Sequence, residues 1–348
     1  AGQVYEPVDM DTLLYYKEAS DGQILEEGIT EAGSMSSFIA AGTAYSTYGV
    51  NTIPFFIYYS MFGFQRIGDL VWAAADSRTR GFMLGGTAGR TTLAGEGLQH
   101  QDGQSHLLAY PVPNLLSYDP AFAYEIAVII EEGIRRMYVE RESIFYYLTL
   151  MNEPYAMPPM PEGSREGILK GMYRFRATTK PDAPARAQLF GSGAILPEVL
   201  RAAEALESKY NVGADVWSVT SYGELYRDGH ACERWNMLHP AGPGRVPFVT
   251  ASLKDAPGVF VAASDYVKAL PDSIDRWLPR PLVVLGTDGF GRSEKRSALR
   301  DFFEVDCRYV IVATLAALAR DGVIQTSVVE RAIKDQGINS DKLNPAVS

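Results

Sequence analysis

The 348-residue chain is 47% hydrophobic and 21% charged, an ordinary globular balance that is long enough for roughly two domains. A net charge of −10 and a pI near 5.0, with no Lys/Arg stripe able to track phosphates, argue against nucleic acid as a partner. Two cysteines, Cys232 and Cys307, are too few for a disulfide framework and point to a reducing, cytoplasmic setting.

No membrane partner is expected either: the longest apolar run, YVIVATLAALA (309–319), is far short of the roughly 20 residues of a membrane span. The chain opens AGQVYEP, with neither an initiator Met nor a basic-then-apolar leader, so a fragment or a processed product is expected.

DMDTLLYYKEA (9–19) reads as a helix begun by Asp, and EAGSMSSFIAAGTAYSTYG (31–49) as a helix packed through small residues and closed by Gly49. TIPFFIYYS (52–60) has the aromatic and β-branched density of a buried strand. GFQRIGDLVWAAADSRTRG (63–81) returns to helical spacing, with Ile67, Leu70, Val71 and Ala74 on one stripe, and GFMLGG (81–86) is a short strand. A long polar interval follows before the strand NLLSYD (114–119), and long structured intervals of this kind tend to carry function.

PAFAYEIAVIIEEGIRRM (120–137) reads as a helix and SIFYYLTL (143–150) as a strand. The segment 152–167, rich in Pro, Met and Gly, reads as a linker between domains 1–155 and 156–348. Beyond it the alternation restarts with AQLFGSG, PEVLRAAEALESKY, ADVWSVTS, PLVVLGTDGFG and the helix 308–322. Strands repeatedly separated by helices predict an α/β protein of two doubly wound, mostly parallel sheets, whose ligands bind beyond the carboxyl ends of strands.

The polar interval contains GEGLQHQDGQSH (95–106), with His100, His106, Glu96 and Asp102. Five residues separate the histidines, which suits neither a helical metal pair nor a complete zinc set, so the readings are a solvated turn, proton-handling or substrate-binding histidines, and, as the least favoured, a metal wrapped by the glycine-rich loop. Glu31 in EEGITEAG is either a carboxylate placed in a first helical turn by the dipole or a half-buried acid suited to proton transfer. Tyr58, Tyr59, Phe62 and Phe64 form either core or a stacking surface for a flat ring. GTDGFGRSE (286–294) looks like a phosphate loop but lacks the Walker Lys-Ser/Thr and does not fit G-x-G-x-x-G. His239 in ERWNMLHP reads as structural, and His230 as a surface residue.

Taken in order, EEGITEAG, IPFFIYYSMFGFQRIGDLVW, GGTAGRTTLAGEGLQHQDGQSH, SYDPAFAYEIAVII, MPPMPEG, ERWNMLHP and LGTDGFGRSE resemble the homodimeric bacterial type of pyruvate dehydrogenase component. The resemblance runs end to end. It implies a transketolase-like, thiamine-diphosphate-dependent fold, of which this chain has the pyrimidine-binding middle domain, missing its first part, and the carboxyl-terminal domain. The family's G-D-G…Asn fingerprint is absent, so the ligands of the Mg²⁺ that accompanies the cofactor are expected in a domain outside this chain, and no metal on these histidines.

By resemblance, Glu31 matches the catalytic acid that hydrogen-bonds the cofactor's pyrimidine and favours its imino form. Tyr59, Phe62 and Ile29 line the pyrimidine pocket. His100 matches a group near the reacting carbon, for proton handling or for binding pyruvate's carboxylate, and Glu96 and His106 share its loop as substrate-binding candidates. The implied reaction is oxidative decarboxylation of pyruvate, with acetyl transfer to a lipoyl group of dihydrolipoyl acetyltransferase. A non-catalytic dimerisation core and a transketolase-type ketol transfer are the alternatives.

Overall fold

A computed structural model describes residues 20–348; the helix expected over 9–19 lies outside the described residues. The first sheet is built from β1 (Phe55–Tyr58), β2 (Phe82–Gly86), β3 (Leu115–Tyr118) and β4 (Phe145–Leu150), in the order β1-β2-β4-β3 and parallel throughout. Its helices are α1 (Glu31–Thr47), α2 (Phe64–Asp76), α3 (Ser105–Ala109) and α4 (Ala123–Ile134).

Alternation along the strands sends side chains to both faces, and both faces are covered. Met35 and Phe38 of α1, with Ile67, Val71 and Ala74 of α2, bury Phe56, Tyr58, Met83 and Tyr147. Val128 and Ile129 of α4 cover Phe82, Leu84, Tyr146 and Leu148 on the opposite face.

The second sheet contains β5 (Met172–Arg176), β6 (Ala185–Gly191), β7 (Val212–Val219), β8 (Val259–Ala263) and β9 (Leu282–Leu285), in the order β5-β7-β6-β8-β9. It is parallel except for β5, which runs antiparallel to β7 along one edge. The short helix α5 (Arg165–Lys170) leads into it. Next come α6 (Leu196–Lys209), α7 (Tyr222–Leu238), α8 (Phe248–Leu253) and α9 (Ala269–Asp272), and then α10 (Arg296–Phe302), α11 (Cys307–Arg320) and α12 (Thr326–Asp335). Val199, Ala203 and Leu206 of α6 pack with Ile311, Leu315 and Leu318 of α11 over Leu189, Val216 and Val261. Leu225 of α7 with Val249 and Leu253 of α8 cover Phe190, Trp217 and Phe260.

Three elements differ from their sequence patterns. The strand expected over 52–60 stops at Tyr58, because Ser60–Phe62 folds as a 3₁₀ turn. Helix α2 ends at Asp76 rather than 81; Arg78, with φ 57°, reverses the chain there. The helix expected to 137 keeps α geometry only to Ile134 and then widens into a π turn over Arg135–Val139.

The segment read as a linker is irregular as far as Ser164, yet it is tied down. Tyr155 Oη donates to Ala121 O, and the Glu153 carboxylate pairs with the Arg300 guanidinium. Arg300, itself buried, also reaches Glu198 at 3.2 Å and donates to Thr91 Oγ1 at 3.2 Å. Asp265 accepts the Thr91 N–H at 3.0 Å. Residues preceding and following the segment thus share one buried ionic cluster, and burial pushes the Asp265 carboxyl up to about 7.

Candidate active site

Tyr59 follows the carboxyl end of β1, the location where parallel α/β sheets gather ligands. The 3₁₀ turn after it, closed by Phe62 N–H donating to Tyr59 O at 2.9 Å, folds the two aromatic rings to 5.9 Å between centroids at 67°. The His100 ring stands edge-on against both, 5.2 Å from Tyr59 and 5.1 Å from Phe62. Its own turn is closed by the His100 N–H on Gly97 O at 3.3 Å, with Gly97 at φ 82°, a conformation that favours glycine. Glu96 Oε2 lies 3.9 Å from His100 Nδ1, close enough to balance a protonated ring without a hydrogen bond.

Helix α2 begins two residues after Phe62, and its first turn supplies Arg66. The guanidinium lies 3.9 Å over the Phe62 ring and donates to Glu31 Oε1 at 3.0 Å. Glu31 opens α1, whose amino terminus is capped by Thr30 Oγ1 accepting the Gly33 N–H at 3.3 Å. A continuous surface therefore runs Glu31–Arg66–Phe62–His100–Tyr59, with Glu96 at its margin. Ile29, expected in the same pocket, is 99% exposed.

His106 is placed differently. The sequence grouped it with His100 as a substrate-binding residue, but it is buried within α3. Its Nε2 meets Thr149 Oγ1 at 3.1 Å, and its ring is covered by Tyr147 and Tyr266 at 5.3 and 4.8 Å. Burial pulls its pKa down to about 3, so the ring stays neutral. Thr149 Oγ1 in turn donates to Asp119 Oδ1 at 2.7 Å, and burial raises the Asp119 carboxyl to about 6. The polar spelling of the loop concealed that α3 turns its histidine inward. His239 stacks on Trp235 at 3.7 Å, and His230 packs edge-on against Tyr226 and Trp277.

The glycine-rich GTDGFGRSE turn has a mechanical part. Gln101, one residue beyond His100, donates through Nε2 to Arg292 O at 2.7 Å and accepts the Arg292 N–H on Oε1 at 2.8 Å. Ser293 Oγ donates to Gly95 O at 2.7 Å, and the Gly95 N–H to Glu294 O at 3.1 Å. Arg90 Nη1 donates to Thr287 O at 2.6 Å. Gly291 lies so close that a Cβ there would sit 2.5 Å from Gln101 Oε1. The turn fastens both ends of the His100 segment. Arg66 and this fastening escaped the sequence reading; only the Phe62–Arg66 spacing of four residues on one helix start could have signalled the first.

The sequence matches two family models, "Pyruvate dehydrogenase E1 component middle domain" over residues 1–158 and "Transketolase-like TK C-terminal domain" over residues 171–306. The pyruvate dehydrogenase E1 component of Pseudomonas aeruginosa is 56% identical across 99% of the chain, and that of Escherichia coli K12 54% identical across 100%. The chain spans 39% of the length of each. A transketolase from Campylobacter jejuni superposes with a TM-score of 0.58 at 17% identity, covering 80% of this chain and 38% of that one, and so shares the fold. The chain belongs to the pyruvate dehydrogenase E1 component family, of which it carries the middle domain and the transketolase-like carboxyl-terminal domain.

Proposed function

We propose that this chain supplies the pyrimidine-side wall of a thiamine-diphosphate-dependent site that decarboxylates pyruvate. The single observation that carries the reading is the contiguous surface from Glu31 through Arg66, Phe62 and His100 to Tyr59 at the end of β1. These residues fit an aminopyrimidine. The wall offers an aromatic pair, of which Tyr59 is 45% exposed, an acid whose side chain is 17% exposed, and a buried His100 Nδ1 with no hydrogen-bond partner among the described residues. Mg²⁺ has no such fit: among the described residues no group of three or more His, Cys, Asp or Glu is set to hold an ion.

Thiamine diphosphate, when bound, would supply a nucleophilic carbon for pyruvate's keto carbon and an electron sink for the bonding pair left behind when carbon dioxide departs. Glu31 holds the proton it shares with the pyrimidine ring, and Arg66 fixes the orientation of that carboxyl group. Tyr59 and Phe62 keep water from one face of the ring. His100 exchanges a proton or binds pyruvate's carboxylate, and Glu96 stands 3.9 Å from its Nδ1. The two-carbon unit left behind is oxidised to an acetyl group by the lipoyl disulfide of dihydrolipoyl acetyltransferase, whose S–S bond opens to one thioester and one thiol, within a cytoplasmic complex in which the protein is a homodimer. A segment corresponding to the remaining length of the relatives, of which this chain spans 39%, provides the opposite side of the cleft and the Mg²⁺ ligands.

The test is carbon dioxide release from pyruvate by this chain joined to that remaining length. Glu31→Ala is expected to lower kcat by about 10²–10⁴-fold, the scale of a positioned acid–base group. Undiminished turnover overturns the role of Glu31. Turnover of sugar phosphates but not of pyruvate moves the chain to ketol transfer.

A further inference from the structure

The turn at 289–292 has two sides, and only one of them faces the His100 segment. On that side stand the two Gln101–Arg292 hydrogen bonds and Leu98, whose Cα would lie 2.7 Å from a Cβ on Gly291. The other side is closed by residues 342–348. A Cβ on Gly289 would press on Pro345 O and lie 3.1 Å from Ala346 Cα, so the two backbones meet directly. Arg292 works in both directions. Its backbone N–H and carbonyl bond Gln101, whereas its guanidinium donates to Ser348 O and, at 3.0 Å, to Gly291 O.

The segment is tied at its other end as well. Lys342 Nζ donates to Phe302 O at 2.9 Å, at the end of α10, and to Tyr309 Oη of α11 at 3.2 Å. Between these ties it folds on itself: the Ala346 N–H donates to Asn344 Oδ1 at 3.0 Å and the Val347 N–H to Asn344 O at 3.2 Å. Pro345 is its one buried side chain beyond Lys342, and Val347 stays 86% exposed. Among the described residues, no apolar core includes a side chain beyond Ile333. A segment with two ties and no share in a core bears on where the turn sits, not on whether the domain folds.

We infer that residues 342–348 are a strap that clamps the 289–292 turn from behind, and that Pro345 and Ser348 are positioning residues acting on His100 through that turn. Hydrogen exchange tests it in two variants of this chain. One lacks residues 343–348; the other carries Arg292→Met, which keeps the backbone bonds to Gln101 and loses the guanidinium contact. Exchange across residues 93–104 is expected to speed up about tenfold in both, the scale of one lost charge-assisted hydrogen bond, while α6 and α11 keep native protection. Unchanged exchange overturns the strap. So does equal acceleration in α6 and α11, which would make the segment part of the fold.

The effect on turnover rests on the site proposed above and is read in this chain joined to the relatives' remaining length. There kcat/KM for pyruvate should fall about tenfold in the shortened protein, with the thiamine diphosphate Kd within about twofold of the parent. Glu31, Tyr59 and Phe62 are carried by α1 and the β1–α2 connection, not by the strapped turn. Loss of cofactor affinity, or an unchanged kcat/KM, overturns the positioning of His100. A parent protein that binds no thiamine diphosphate strikes the proposed site instead, and the exchange result still decides the strap.

Discussion

Replacing Gly291 by alanine asks whether the glycine-rich turn really holds the His100 segment in place. The new Cβ would lie 2.5 Å from Gln101 Oε1 and 2.7 Å from Leu98 Cα. The second neighbour is backbone, so the turn and the segment must separate. Separation strains or breaks both Gln101–Arg292 hydrogen bonds, now 2.7 and 2.8 Å. Overpacking costs about 1–3 kcal/mol and each lost bond about 0.5–1.5 kcal/mol, so a local loss of about 2–4 kcal/mol is expected once partial relaxation is allowed.

Hydrogen exchange across residues 93–104 reads this directly. A loss of about 2 kcal/mol speeds exchange through local opening by about 30-fold, while peptides from α6 and α11 stay protected. Gly95→Ala is the control: its φ is 82°, but nothing lies within 4 Å of the added Cβ, so it carries backbone strain without the collision. Equal exchange in the wild type and Gly291→Ala, or equal acceleration in both variants, refutes the reasoning.

Arg300→Met strands Glu153 and Glu198 without their buried partner, and urea denaturation should show a loss of about 3–5 kcal/mol; an unchanged midpoint contradicts the cluster's role. Burial raises Asp265 from 3.8 to about 7, so between those values the folded chain binds a proton that the unfolded chain releases. The stabilisation this gives at acid pH is lost as pH rises through about 7, with a slope of at most about 1.4 kcal/mol per unit. Asp265→Asn should flatten that limb of the stability–pH curve, and parallel curves for the two proteins would refute the assignment.

What the sequence made legible was local. Tyr59 and Phe62 sit three residues apart at a strand end, so their joint appearance in one wall follows from spacing, and the two-sheet architecture follows from alternating apolar runs. Strand β5 was missed because MYRFR carries two arginines and lies on an antiparallel edge, where burial is one-sided. The Glu31–Arg66 pair spans 35 residues and the Gln101–Arg292 bonds span 191, distances over which no periodicity carries information. His106 misled for a different reason. A neutral histidine satisfied by Thr149 is indistinguishable, as a letter, from one facing substrate.

The fastening of residues 95–101 by residues 291–294 also sets a clock. At about 5–20 residues per second, the ribosome needs roughly 10–40 s to pass from Gln101 to Arg292, and the segment has no anchor during that time. The first sheet, in the order β1-β2-β4-β3, can be completed once β4 has emerged, since all four strands lie before residue 151. The wall that holds His100 cannot. It is completed by the second sheet's last strand-to-helix turn, so a nascent or prematurely ended chain has its aromatic pair in place long before its histidine is fastened.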